Sequence, residues 1–258
     1  AFLVNILVYV LNLKTFERIG RLSAFVVLIA LVCEVQFILL DLGWLSRGLY
    51  QFFLTPSFTS LMTWMFVLFS AMLLLYLFKT HALLRADLVR LANDPKSGAL
   101  RGLYGLLAFG KTQYGPEDAA RDDRRVHLLA KISLPVGLLF YGTNGAFFAV
   151  LLSRPIWNSA LTPLLFIVAA LLSGGALVAF LTYVFRQPDP LQPSRLCHSD
   201  ELCLGLGKVI LFLLVVFLGL EALQFFVGYQ SGKEAVVTSL NIIVGGRDWW
   251  VFWVAHIL

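Results

Sequence analysis

The sequence predicts an all-α, polytopic transmembrane helix bundle, and three observations carry that reading. Of the 258 residues, 59% are hydrophobic and only 14% are charged, with a mean hydropathy of +0.84. A soluble globular chain carries about 25% charged residues. Apolar runs recur at 1–13, 22–42, 62–84, 128–152, 161–185, 204–229 and 249–258. The middle five reach the roughly 20 residues needed to cross the hydrocarbon core. Backbone amides find no water in lipid, so such runs are expected as helices and not strands. The first and last runs are too short to span. The chain therefore reads as a single transmembrane domain over 1–258, the interior of a longer protein. It is expected to hold five complete spanning helices, with partial helices at both ends.

Taken in order, the run 22–42 carries two carboxylates, Glu34 and Asp41, seven residues apart and so on one helical face. They are separated by roughly 10 Å along the axis. Carboxylates are costly in lipid, so both are expected to face the bundle, where a proton relay or an interhelix hydrogen bond would employ them. The segment 43–60 is rich in Trp and Phe, contains one Arg, Arg47, and turns at Thr55-Pro56. The region 85–127 is the longest loop. Its glycines lack the lysine and strand context of a phosphate-binding loop, and the charge run at 117–125 reads as a solvated face.

The run 128–152 carries Asn144 near its end, and Arg154 and Trp157 follow in the next turn. Arg154 suits either a ligand head group or the interface, and Trp157 suits the aromatic belt. Gly174 and Gly175 in 161–185 predict close helix packing. The connector 186–201 has three prolines, and Cys197-His198 with Cys203 match no usual zinc spacing. Glu221 and Gln224 share a face in 204–229. Residues 235–245 are too short to span and suit an interfacial or re-entrant helix. His256 falls about two turns into the last run, where an imidazole can donate a hydrogen bond and titrate near neutral pH.

Lys and Arg orient the bundle. Alternate loops carry 16 on one side and 4 on the other, which places the richer side, including 85–127, in the cytoplasm. The net charge of +5 thus reflects membrane topology, not nucleic-acid binding. In this orientation Asp41, Arg47, Asn144, Arg154, Glu221 and His256 all fall in the outer half of the membrane, with Glu34 deeper. Paired intramembrane histidines, which a haem b cytochrome needs, are absent from the sequence pattern. No metal or haem is expected in this chain. The inverted repeats of a secondary transporter are not evident either, although that class stays open.

Two stretches resemble the NrfD/PsrC-like family of quinone-reactive membrane subunits of polysulfide-reductase-type respiratory complexes. Asp41-Leu42-Gly43 and the segment from Thr55-Pro56 to Met62-Thr63-Trp64 stand where that family shows D-L-G and N-P-N-F-x-S-P-M-x-W. Trp44-Leu45 replaces its Arg-Pro, and Leu61 its second Pro. Arg154-Pro155-Ile156-Trp157, Pro163-Leu164, Phe166 and the small residues from Ser173 to Ala176 match a second motif. Tyr141 stands near the place where many relatives carry a histidine.

The resemblance implies a multi-pass subunit of the prokaryotic cytoplasmic membrane that binds menaquinone or ubiquinone as an exchangeable substrate near the outer face. The pocket residues expected are Asp41, Arg47, Tyr141, Asn144, Arg154, Trp157 and His256, with Glu34, Asp41 and Glu221 as the proton path. The implied partners are membrane lipid and an extracytoplasmic ferredoxin-like iron–sulfur subunit. Through the latter the chain would meet a catalytic subunit or a multihaem cytochrome. An anchor or assembly subunit without a quinone site is the alternative.

Overall fold

In lipid the backbone can hydrogen-bond only to itself, and each long apolar run closes into a helix. The computed structural model describes residues 1–41, 50, 54, 56–94, 98, 100–185 and 200–257. The side chains of Lys14, Arg18, Asp41, Asp200, Glu201 and residues 255–257 are outside that description. A short helix α1 (Phe2–Asn5) continues as a π-helical turn (Ile6–Val10) and is followed by α2 (Glu17–Asp41). Then come α3 (Leu61–Asn93), α4 (Arg101–Leu107), α5 (Pro116–Ala149), α6 (Thr162–Val184), α7 (Asp200–Gln230), α8 (Glu234–Gly245) and α9 (Trp249–Ile257). Five of these, α2, α3, α5, α6 and α7, are long and apolar enough to cross a membrane. The chain is a multi-pass membrane protein, as its hydropathy predicts.

Neighbours in sequence are mostly neighbours in space. α3 lies along α2 and α5, α5 along α6, and α6 along α7, while α1 wedges between α2 and α6. α8 packs on α7, and α9 packs on α8. The buried core runs through Phe2, Val4, Ile19, Met72, Tyr76 and Val178. Outward residues of the spans such as Phe180 and Phe212 are exposed, as expected of side chains that face lipid.

Small residues set the tightest approaches. A Cβ on Gly145 of α5 would stand 2.5 Å from the Pro163 Cα and 2.9 Å from the Thr162 oxygen of α6. Gly174 lies against the backbone of Ala1, and a Cβ on Gly175 would reach the Leu3 side chain at 3.0 Å.

Much of the expected loop 85–127 is helical. α3 runs on to Asn93, and α5 begins at Pro116, where a missing N–H leaves nothing unsatisfied. The two polar extensions are joined by a nearly buried ion pair, Arg85 Nη1 to Asp122 Oδ1 at 3.1 Å. Arg125 reaches the same carboxylate at 3.4 Å, and the Tyr114 hydroxyl donates to it at 3.2 Å. Burial and the Asp122 carboxylate hold the Tyr114 hydroxyl above its ordinary pKa. His127 Nδ1 donates to the Tyr9 carbonyl at 3.0 Å, which ties the π-helical turn to the same end of the bundle.

Candidate functional site

Alternation of the spans brings the ends of α2, α5 and α7 and the starts of α3, α6 and α9 to one end of the bundle. There the turn between α5 and α6 is built from its own polar groups. The Trp157 amide donates to the Arg154 carbonyl at 3.0 Å. Asn158 Nδ2 donates to the Ala149 carbonyl and Thr162 Oγ1 to the Trp157 carbonyl, each at 2.7 Å. The turn sets the Arg154 guanidinium 5.8 Å from the centre of the Trp157 ring, within cation–π range. Trp157 meets Phe148 edge-on at 5.3 Å, and Phe148 stacks on Phe166 at 5.2 Å. The indole is therefore held as a flat wall by both flanking helices.

Two cavities open beside this turn. One of about 300 Å³ is lined by Arg154, Ile156 and Trp157 and by Ser239, Ile242 and Ile243 of α8. A second, of about 350 Å³, lies on the other side of Pro155 and Ile156, against Leu223, Gln224 and Val227 of α7 and Leu240 of α8. Gln224 Nε2 donates to the Ile156 carbonyl at 2.7 Å and braces the partition between them. Glu221 is half-buried one turn before Gln224 on the same face. Asn144 is half-buried near the end of α5. The contribution of α8 goes beyond the sequence reading, which places a short apolar helix here but no site residue.

Deeper in the bundle, Glu34 of α2 and Tyr141 of α5 are both half-buried. Tyr141 packs between Phe2 at 5.6 Å and Phe140 at 5.3 Å and lies within electrostatic reach of Tyr76. Tyr76 is fully buried, with its hydroxyl near Ser133 of α5. One turn further along α3, Lys79 is also fully buried. Its Nζ donates to Asn5 Oδ1 at 2.7 Å and lies 4.4 Å above the Tyr9 ring. Asn5 Nδ2 in turn donates to Ser23 Oγ at 2.9 Å. The sequence reading counts Lys79 among the charges of the basic end. α3 instead turns it inward, roughly 27 Å along the helix from Leu61. The available signal is a lysine inside the apolar run 62–84.

Thus the structure joins Arg154 with Trp157. Asp41 closes α2 and His256 lies in α9 by backbone alone, while Arg47, Cys197 and His198 are outside the described residues. Among the described residues, no three His, Cys, Asp or Glu side chains converge as a metal ion would require.

Known proteins share this arrangement of sequence. The family described as "Polysulphide reductase, NrfD" matches residues 1–258. Over its whole length the chain is 28% identical to the C subunit of the selenate reductase of Mesobacillus selenatarsenatis and covers 59% of that protein. It is 23% identical to the Hdr-like menaquinol oxidoreductase integral membrane subunit of Archaeoglobus fulgidus, over 98% of this chain and 54% of that one. It is 29% identical to the protein NrfD of Escherichia coli, over 76% of this chain and 55% of that one. The chain spans a little over half the length of these curated relatives.

Proposed function

Because the chain belongs to the polysulphide reductase NrfD family, we propose that it is the quinone-binding membrane subunit of a respiratory redox complex. It takes menaquinone or ubiquinone at the extracytoplasmic end of the bundle. It exchanges electrons with an iron–sulfur subunit docked there and, through that, with a catalytic subunit or multihaem cytochrome. The membrane is the prokaryotic cytoplasmic membrane. One of the relatives is named a menaquinol oxidoreductase subunit, in keeping with a quinone as the membrane-soluble partner.

The observation that carries the reading is the cavity where Arg154 and Trp157 meet Ile242 and Ile243 at the end of the bundle. Its chemistry suits a quinone head group: one cation, one flat aromatic wall, the hydroxyl-bearing Ser153 and Ser239, and otherwise apolar sides. A ligand pocket is expected to combine mostly apolar lining with a few polar groups, in about 300–1,000 Å³. The quinone supplies the redox chemistry, and the protein supplies binding and proton groups. Arg154 is assigned hydrogen-bond donation to a quinone carbonyl, Trp157 the stacking wall, and Asn144, Arg47 and His256 the remaining contacts, while Tyr141 stands deeper, packed on Phe2 and Phe140.

Quinone reduction takes up protons with electrons, and quinol oxidation releases them. A carboxylate beside the head group serves that exchange where an apolar wall cannot. Asp41 is assigned this role, with Glu34 and Glu221 behind it.

Turnover with a soluble quinol analogue, measured per assembled complex, tests the assignment. Asp41→Asn keeps size and hydrogen-bonding capacity but not the titratable charge. It is expected to cut turnover at least roughly tenfold, a barrier change of about 1.4 kcal/mol. His256→Ala and Arg154→Gln are expected to raise the analogue's KM while assembly stays intact. Full turnover in Asp41→Asn together with an unchanged KM in Arg154→Gln would leave the chain an anchor without a quinone site.

A further inference from the structure

The other end of the bundle carries a second constellation, which the quinone reading does not use. Residues 121, 124, 125 and 128 of α5 fall at the i, i+3, i+4, i+7 spacing that aligns side chains on one helical face. Arg121, Arg124, Arg125 and Leu128 share a cavity of about 420 Å³ with Ala120 and one carboxylate, Glu117. The other acidic residues of the segment are engaged elsewhere. Asp118 pairs with Lys111, Asp122 with Arg85 and Arg125, and Asp123 faces His127 at 3.7 Å. Among the described residues no ion pair neutralises Arg121 or Arg124, and both are exposed.

The register of this face against the membrane is equally specific. The apolar run of α5 starts at Leu128, which is 58% exposed, and the next residue on that line, Ile132, is 43% exposed. Arg125 and Arg124 lie three and four residues before Leu128, roughly 4.5–6 Å beyond the apolar boundary, and Arg121 lies seven before it, roughly 10 Å beyond. The polar headgroup layer extends about 5–7 Å beyond the hydrocarbon on each side. The backbones of Arg124 and Arg125 therefore stand at the level of lipid phosphates, above a track of exposed aliphatic side chains, and Arg121 shares their cavity from a turn further out. Arginine's planar fork matches a phosphate in two-point hydrogen bonding, and a diacyl chain matches the track below.

We propose that this face of α5 is a binding site for the phosphodiester headgroup of one acidic phospholipid, with Arg121 and Arg124 as its main donors and Arg125 shared with Asp122. Leu128 and Ile132 receive the first acyl methylenes. The phosphate chemistry alone would also suit a free phosphate ion, so the site's preference must be read with both. Basic residues near an anionic surface each contribute enough attraction to be seen individually in affinity.

The test uses the intact complex in detergent, with native mass spectrometry reading retained phosphatidylglycerol against phosphatidylcholine. The wild type is expected to retain phosphatidylglycerol selectively. Arg121→Gln/Arg124→Gln should weaken that retention at least about tenfold. A charge-matched control away from the face, Arg90→Gln/Lys208→Gln, should leave it unchanged. Arg121→Lys/Arg124→Lys keeps charge and fold but not the fork, and an intermediate loss is expected. Excess inorganic phosphate should not displace the lipid. Equal losses in the control and the site variant would overturn the proposal, reducing the arginines to topological charges. Displacement by inorganic phosphate, or a polypeptide retained in place of lipid, would overturn it as well.

Discussion

Lys79 and Asn5 form a polar contact buried in the core. Both are essentially inaccessible, and the 2.7 Å hydrogen bond between them joins α3 to α1 inside an apolar core. Among the described residues no carboxylate pairs with Lys79; the Asn5 carbonyl and the rings of Tyr9 and Tyr76 surround its amine instead. Removing one partner of a buried hydrogen bond costs more than removing both, because the survivor stays desolvated. Asn5→Leu alone is therefore expected to destabilise the complex by roughly 2–3 kcal/mol, within the range for hydrogen bonds to charged groups. Lys79→Met with Asn5→Leu should lose less than the sum of the two single variants. Thermal unfolding of the assembled complex measures all four corners of the cycle, and strictly additive losses would show the two residues to be uncoupled.

Between elements, the joint of α5 and α6 decides where the Arg154–Trp157 turn sits. Gly145 lets the α6 backbone approach until a Cβ would collide with Pro163 and Thr162. Thr162 itself holds the Trp157 carbonyl, so lifting α6 would carry the indole and Arg154 with it. Gly145→Val is expected to cost about 1–3 kcal/mol through overpacking and to weaken quinone-analogue binding in parallel. Gly142→Ala is the matched control, since its Cβ would meet only the flexible end of Ile167 at 3.5 Å. The level of assembled complex and its melting temperature separate the two variants. Equal behaviour would mean that the α5–α6 approach does not set the turn.

At the scale of the whole molecule, orientation follows charge and not packing. The bundle would pack identically either way up, but Lys and Arg divide 16 to 4 between alternate connections, and 15 to 4 once the inward-turned Lys79 is set aside. Asn93 closes α3 at the basic end, and Asn158 lies in the Arg154–Trp157 turn at the other. Reporter fusions at Asn158 are expected to be active outside the cytoplasm and those at Asn93 inside. The reverse pattern would move the proposed quinone site, and the docked partner with it, to the cytoplasmic face.

The five spans were legible because burial in lipid is a property of each segment alone: apolar length against membrane thickness reads directly from the residues. The motif at Arg154 to Trp157 was legible as well, and the structure holds the Arg154 and Trp157 side chains together in one turn. Helix length was not. α3 and α5 outrun their apolar runs because Arg85 and Asp122, 37 positions apart, meet and hold two polar extensions together. Nor did the sequence reveal that α8 closes the cavity beside Arg154, that Gln224 braces Ile156, or that Lys79 turns inward onto Asn5. Each of these depends on which faces of two distant helices come into contact. That is settled by close approach at residues such as Gly145 and Gly175 and by the pairing of buried polar atoms, and neither is contained in the hydropathy of any one segment.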